Sequence, residues 1–113
     1  MNDKLAESLA GHLKRNQELA DLIRKKGASL DEPRLIECHF WASSRLSADQ
    51  MATALEARGF QRLIVSDTGR NLWNVEMTVI ESVNRVVGGE FTSGLIEVAA
   101  MFDGKFDGWG TSI

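Results

Sequence analysis

The stretch Arg34-Leu35-Ile36-Glu37-Cys38-His39-Phe40-Trp41-Ala42 follows Pro33 and alternates along its whole length. Successive side chains of an extended chain point to opposite faces, so Ile36, Cys38, Phe40 and Ala42 share one side and Leu35, Glu37, His39 and Trp41 the other. The run is rich in β-formers, and the proline ahead of it disallows a helix continuing into it. One apolar side and one mixed side predict a sheet covered on a single face. Residues 34–42 are therefore read as the first strand.

Downstream, Ser47 with Gln50 three residues on reads as a capping box. It opens a helix through Met51, Leu55 and Arg58 that Gly59 closes. Phe60–Val65 is a second, short strand. Asp67, Thr68 and Gly69 supply turn chemistry between residues 66 and 71. Leu72–Ile80 is a third strand, with Trp73, Val75, Met77 and Val79 in phase against Asn74, Glu76 and Thr78. Residues 81–89 fit either an extension of that strand or a turn near Gly88-Gly89. Leu95, Val98, Ala99 and Phe102 give Glu90–Phe102 helical spacing, Gly104 breaks the helix, and Lys105–Ile113 supplies the last strand.

Upstream lies one long helix over residues 3–26, with Leu5, Leu9, Leu13, Ala20 and Ile23 forming a stripe that Leu19 and Leu22 widen. Asp3 suits its N-cap, residues 24–26 suit the negative end of the dipole, and Gly27 suits a left-handed stop. The stripe needs a partner, either its own domain or a second copy of the chain, since an isolated helix of this length is marginal in water. After this helix the order is β-α-β-β-α-β. It predicts an α+β, ferredoxin-like sandwich: an antiparallel sheet, helices on one face, and an extra N-terminal helix. The common strand order 4-1-3-2 puts strands one and three in the middle. Residues 1–27 are expected to form the amphipathic helix and residues 28–113 the ferredoxin-like domain.

At 113 residues the chain has room for one core, and 43% hydrophobic with 26% charged residues is ordinary for a globular protein. A single cysteine, Cys38, excludes an internal disulfide, and two histidines exclude a three-histidine metal site. No apolar run reaches the roughly 18 residues of a membrane span. Asp3, Glu7 and the lack of an apolar core segment argue against a signal peptide, so a cytoplasmic location is expected. The net charge of −3 divides into +2 over residues 1–27 and −5 over the remainder. An acidic body repels phosphate backbones and favours a basic protein segment.

Catalytic signatures are missing. There is no phosphate loop, no G-x-G-x-x-G between strand and helix, and no G-x-S-x-G elbow. Cys38 and His39 are adjacent in a strand and point apart, so they cannot form a nucleophile pair. His12 reads as an ordinary residue on the polar side of its helix. What the topology collects is a polar group on the helix-free face, where Glu37, His39 and Trp41 are flanked by Glu76, Thr78, Asp107 and Trp109. These residues define either a protein-binding surface or, alternatively, a small-ligand or metal site made of one imidazole and up to three carboxylates. A solvated face with ion pairs is the plain structural reading. The positions at which RNA-recognition modules stack bases hold Glu37, His39, Glu76 and Thr78, which argues against direct nucleic-acid binding. Trp73 is in phase with the core, whereas alternation places Trp41 and Trp109 together on the open face as contact residues.

The closing run Phe102-Asp103-Gly104-Lys105-Phe106-Asp107-Gly108-Trp109-Gly110-Thr111 resembles the end of the regulator of ribonuclease E activity B (RraB, ribonuclease E inhibitor) family, with Asp107, Gly108, Trp109 and Gly110 carrying the motif. Ile36–Phe40 and Asp49–Phe60 are also similar to that family, and the likeness spans about residues 34–111. It implies a ferredoxin-like domain with no cofactor and no chemistry of its own, whose better-known members bind ribonuclease E outside its catalytic part and inhibit or redirect RNA decay. Independently of the likeness, glycines at 108 and 110 suit a bend, or a neighbouring ring lying against bare backbone. Aromatic anchors ringed by carboxylates suit an arginine-rich flexible segment, because guanidinium groups both pair with acids and stack on indoles.

Overall fold

The computed structural model describes residues 2–112. In chain order it comprises α1 (Asp3–Lys25), β1 (Arg34–Ala42), α2 (Arg45–Glu56), β2 (Gln61–Asp67), β3 (Trp73–Glu81), a single turn α3 (Val83–Val86), α4 (Gly89–Met101) and β4 (Gly104–Gly110). The expected βαββαβ succession holds, and α3 resolves the ambiguity over residues 81–89. The four strands form one antiparallel sheet in the order β2-β3-β1-β4, with β1 and β3 central as expected. The end of the expected last strand at Ile113 lies outside the described residues.

Local chemistry explains the helix boundaries. Asn2, rather than Asp3, is the N-cap of α1, accepting from the Leu5 N–H at 2.8 Å, and Asp3 becomes an acid of the first turn. Gly27 at φ +78° ends the helix, with Gly27 N–H donating to Arg24 O and Ala28 N–H to Ile23 O. The cap of α2 is Ser44, which accepts from Ser47 N–H at 3.1 Å, so Ser47 sits inside the first turn. Ser44 is the serine in extended backbone at the end of β1, a condition that residue spacing does not report. The 67–72 turn uses the expected residues: Asp67 accepts from Gly69 N–H at 2.8 Å, and Gly69 and Asn71 take positive φ.

The core lies between the sheet and α2 and α4. Ile36, Cys38, Phe40 and Ala42 from β1 and Val75 and Met77 from β3 meet Ala48, Met51, Ala52 and Leu55 of α2 and Leu95, Ile96, Val98 and Ala99 of α4. At roughly 1.5–3 kcal/mol for each large apolar side chain buried, this layer supplies the main driving force for folding. Both edge strands depart from regular pairing. β2 slips register between Arg62 and Ile64, and β4 slips opposite His39 and Phe40, where Asp107 is the extra residue.

Helix α1 lies along α4 and reaches the edge strand β4, so its stripe is spent on the chain's own body. The buried side of α1 is not the leucine stripe alone. His12, Asn16, Ala20 and Ile23 are its buried residues, Leu5 and Leu9 pack partly against the core, and Leu22 is 46% exposed. The expectation of a solvent-facing His12 is thus corrected. Positions 5, 9, 12, 16, 20 and 23 follow helical spacing, and two of them are polar.

Candidate functional site

The helix-free face of the sheet is built by pairing. Glu37 lies opposite Thr78 on one side and Gly110 on the other, His39 opposite Glu76 and Gly108, and Trp41 opposite Asn74 and Lys105. Directly opposed residues of an antiparallel pair project to the same face, so these side chains form one surface. His39 is half-buried and its Nδ1 donates to Glu76 Oε1 at 3.1 Å. Glu37 is exposed, and neither it nor Asp107 has an ion-pair partner within 4.0 Å among the described residues. No third ligand joins His39 and Glu76; among the described residues no group of three or more His, Cys, Asp or Glu side chains is arranged to hold a metal ion.

The structure brings Glu37, His39, Trp41 and Glu76 together and removes Trp109 from them. Trp109 lies opposite Cys38, a core residue, and so projects toward the helices. There its Nε1–H donates to Asn16 Oδ1 of α1 at 2.7 Å. The extra residue at Asp107 shifts the alternation of β4 by one position: Phe106 is buried, Asp107 stays exposed, and everything beyond it changes side. Gly108, at φ +154°, occupies backbone that favours glycine. Nothing stands within 4 Å of a Cβ placed at it or at Gly110, so no packed neighbour on that side requires either glycine. Of the two expected reasons for glycine, a bend or a ring over bare backbone, the bend is the one the backbone shows at 108.

Apolar residues outside the expected site complete the face. Leu35 and Ile80 are direct neighbours, 51% and 61% exposed, and Ile64 lies opposite Glu76 at 42% exposed. Alternation alone places Leu35 and Ile80 here, while the irregularity in β2 hides the phase of Ile64. The surface is therefore an acidic centre, Glu37 and Glu76, with an aliphatic pair at one end and the half-buried indole of Trp41 at the other.

Beside it, at the β4 edge, a groove of about 350 Å3 opens between Arg15 and Leu19 of α1 and His39, Asp107 and Gly108 of the sheet. The polar groups buried behind it are paired. Asn16 donates to Thr92 Oγ1 at 2.9 Å, Thr92 donates to Val86 O at 3.2 Å, and His12 bonds Phe106 O. None of these three is among the expected site residues, because a polar letter in an amphipathic helix is ordinarily assigned to solvent.

Fold and surface together define a ferredoxin-like α+β domain that leaves one whole sheet face uncovered beside an N-terminal helical strap. The sequence matches the family described as Regulator of ribonuclease activity B over residues 13–111, and the chain belongs to that family. Comparison with curated proteins yields no match. The family is regulatory, and the match runs from the middle of α1 to just past the end of β4. No helix among the described residues is long and apolar enough to cross a membrane.

Proposed function

We propose that this protein regulates an RNA-decay endoribonuclease, such as ribonuclease E, by holding a basic segment of it on the open sheet face. The regulator acts by binding alone, in the cytoplasm, without touching RNA itself. The observation that carries this reading is the combination on one uncovered face of unpaired acid and exposed apolar surface: Glu37 beside the Leu35–Ile80 pair, with Glu76 and Trp41 further along. Carboxylates flanked by aliphatic and aromatic contacts suit a segment in which arginines alternate with apolar residues. Asp107, exposed at the rim, adds to the attracting field. Trp109 supports the surface from inside rather than touching the partner.

The test is a titration of the purified protein with a basic, non-catalytic segment of an endoribonuclease, followed by tryptophan fluorescence. Binding is expected, weakening as salt screens the charges. Trp41→Ala should lose more affinity than Glu37→Gln, because a buried anchor outweighs a rim charge. Single-stranded RNA that binds more tightly than the basic segment at the same salt would overturn the reading.

A further inference from the structure

The contact that holds α1 to the body is polar at its centre and tied to one protonation state. His12 is 3% exposed and stacks on Phe106 with ring centroids 4.7 Å apart. Its Nε2 lies 3.1 Å from the Phe106 carbonyl oxygen, which only accepts. Its Nδ1 lies 3.0 Å from the Arg15 guanidinium, which only donates. The two partners fix a neutral imidazole with its hydrogen on Nε2 and its lone pair on Nδ1. A second proton would sit between Nδ1 and Arg15, setting donor against donor and cation against cation.

The charges around the ring come from each element packed there. α1 contributes Arg15, with Lys4 and Glu7 along the same cleft; β4 contributes Lys105 and Asp107, and the turn before it Asp103. α4 faces the cleft with Ile96 and Ala100, which are uncharged. From β1, His39 opens onto the neighbouring groove and is held by Glu76. Burial, and then Arg15, holds the His12 ring below the ordinary histidine value, against smaller upward pulls from the Phe106 carbonyl and Asp107.

We propose that α1 is a proton-released strap: a proton taken up at His12 puts a cation into a buried site beside Arg15 of the same helix, and loosening of the helix from the edge strand β4 relieves it, uncovering Trp109. The sign follows from linkage. The docked state prefers neutral His12, so docking is complete above the free histidine value of about 6.5 and weakens as pH falls from there toward the lowered docked value. One proton moves the equilibrium by up to about tenfold per pH unit inside that window. Arg15 and Leu19 also wall the groove beside His39, so release of α1 dismantles one border of the open face. That last consequence rests on the face being the binding surface, whereas the release itself does not.

Hydrogen exchange by NMR on the full chain, corrected for intrinsic rates, tests the strap. Protection of the α1 amides is expected to fall several-fold between about pH 7.5 and about pH 5.5, while that of β1 and β3 holds. His12→Gln keeps a donor for Phe106 and an acceptor for Arg15 without a titrating group, and should show equal protection at both pH values. His39→Gln should respond as the wild type does. Constant α1 protection in the wild type, or an undiminished response in His12→Gln, would overturn the proposal. Titration of the wild-type ring nitrogens requires no variant to fold: His12 gaining a proton while α1 stays protected overturns it equally. Binding of the nuclease segment at the two pH values reads the functional consequence separately. Release of α1 with unchanged affinity supports the strap and counts against the open face as the partner's site.

Discussion

Gly104, Gly108 and Gly110 lie within seven residues of chain and answer to different constraints. A Cβ at Gly104 would run into the Met51 side chain and come within 2.5 Å of the Trp41 carbonyl oxygen, which is backbone and cannot step aside. Gly104→Ala is therefore expected to cost about 2 kcal/mol by overpacking, read from urea unfolding. Gly108→Val should cost about 1–3 kcal/mol through backbone strain at φ +154°, with no packing contribution. Gly110 has ordinary φ and open space around it, so Gly110→Val should melt within about 0.5 kcal/mol of the wild type. The sequence points to glycine-dependent structure in this run, but not to which glycine needs which property. Backbone angles and third-party contacts decide that, and neither is written in the spacing. At Cys38, burial pushes the thiol up to about 12, so the native protein should resist thiol reagents until it is unfolded.

Among the elements, α1 shows most clearly where sequence reading succeeds and fails. Leu5, Leu9, Ala20 and Ile23 mark the inward side correctly, because apolar spacing is a direct consequence of burial. His12 and Asn16 share that side but carry polar groups, and only their partners on β4 and α4 make burial affordable. Those partners are 76 to 94 residues away in sequence, beyond the reach of any local pattern. Asn16→Ala should destabilise the protein by about 1–3 kcal/mol, since it strands the Trp109 N–H, and the loss should exceed that of Leu22→Ala on the exposed side. Comparing the two melting curves checks this. The strands behave similarly. β1 is readable end to end and β3 to within one residue at each end, while both edge strands carry an irregularity that one chain's alternation cannot reveal.

For the whole molecule, element order follows from the pattern of periods, strand order from the common arrangement of that succession, and the open face from the alternation of β1. Five of the seven residues expected on that face are on it, Asp107 stands at its rim, and Trp109 has moved inside. The acidic body and the basic leading helix remain as the sequence has them, so association with a basic partner should slow and weaken together as ionic strength rises. Stopped-flow fluorescence at a series of salt concentrations measures both. Glu37→Lys should reverse the local field and reduce the association rate more than it changes the melting temperature.

The extra residue at Asp107 acts on β4 as a single inserted base acts on a reading frame. Every side chain before it keeps its assignment to inside or outside, and every one after it is translated to the other. Deleting Asp107 would restore the original frame: the indole of Trp109 would emerge among Glu37, His39 and Trp41, and Asn16 would be left facing nothing. One codon thus separates a chain whose third tryptophan fastens its own helix from a chain that displays that tryptophan to others. Between related proteins of this fold, a one-residue length difference at this point would therefore exchange an internal fastening for an external contact without altering a single letter of the motif that follows.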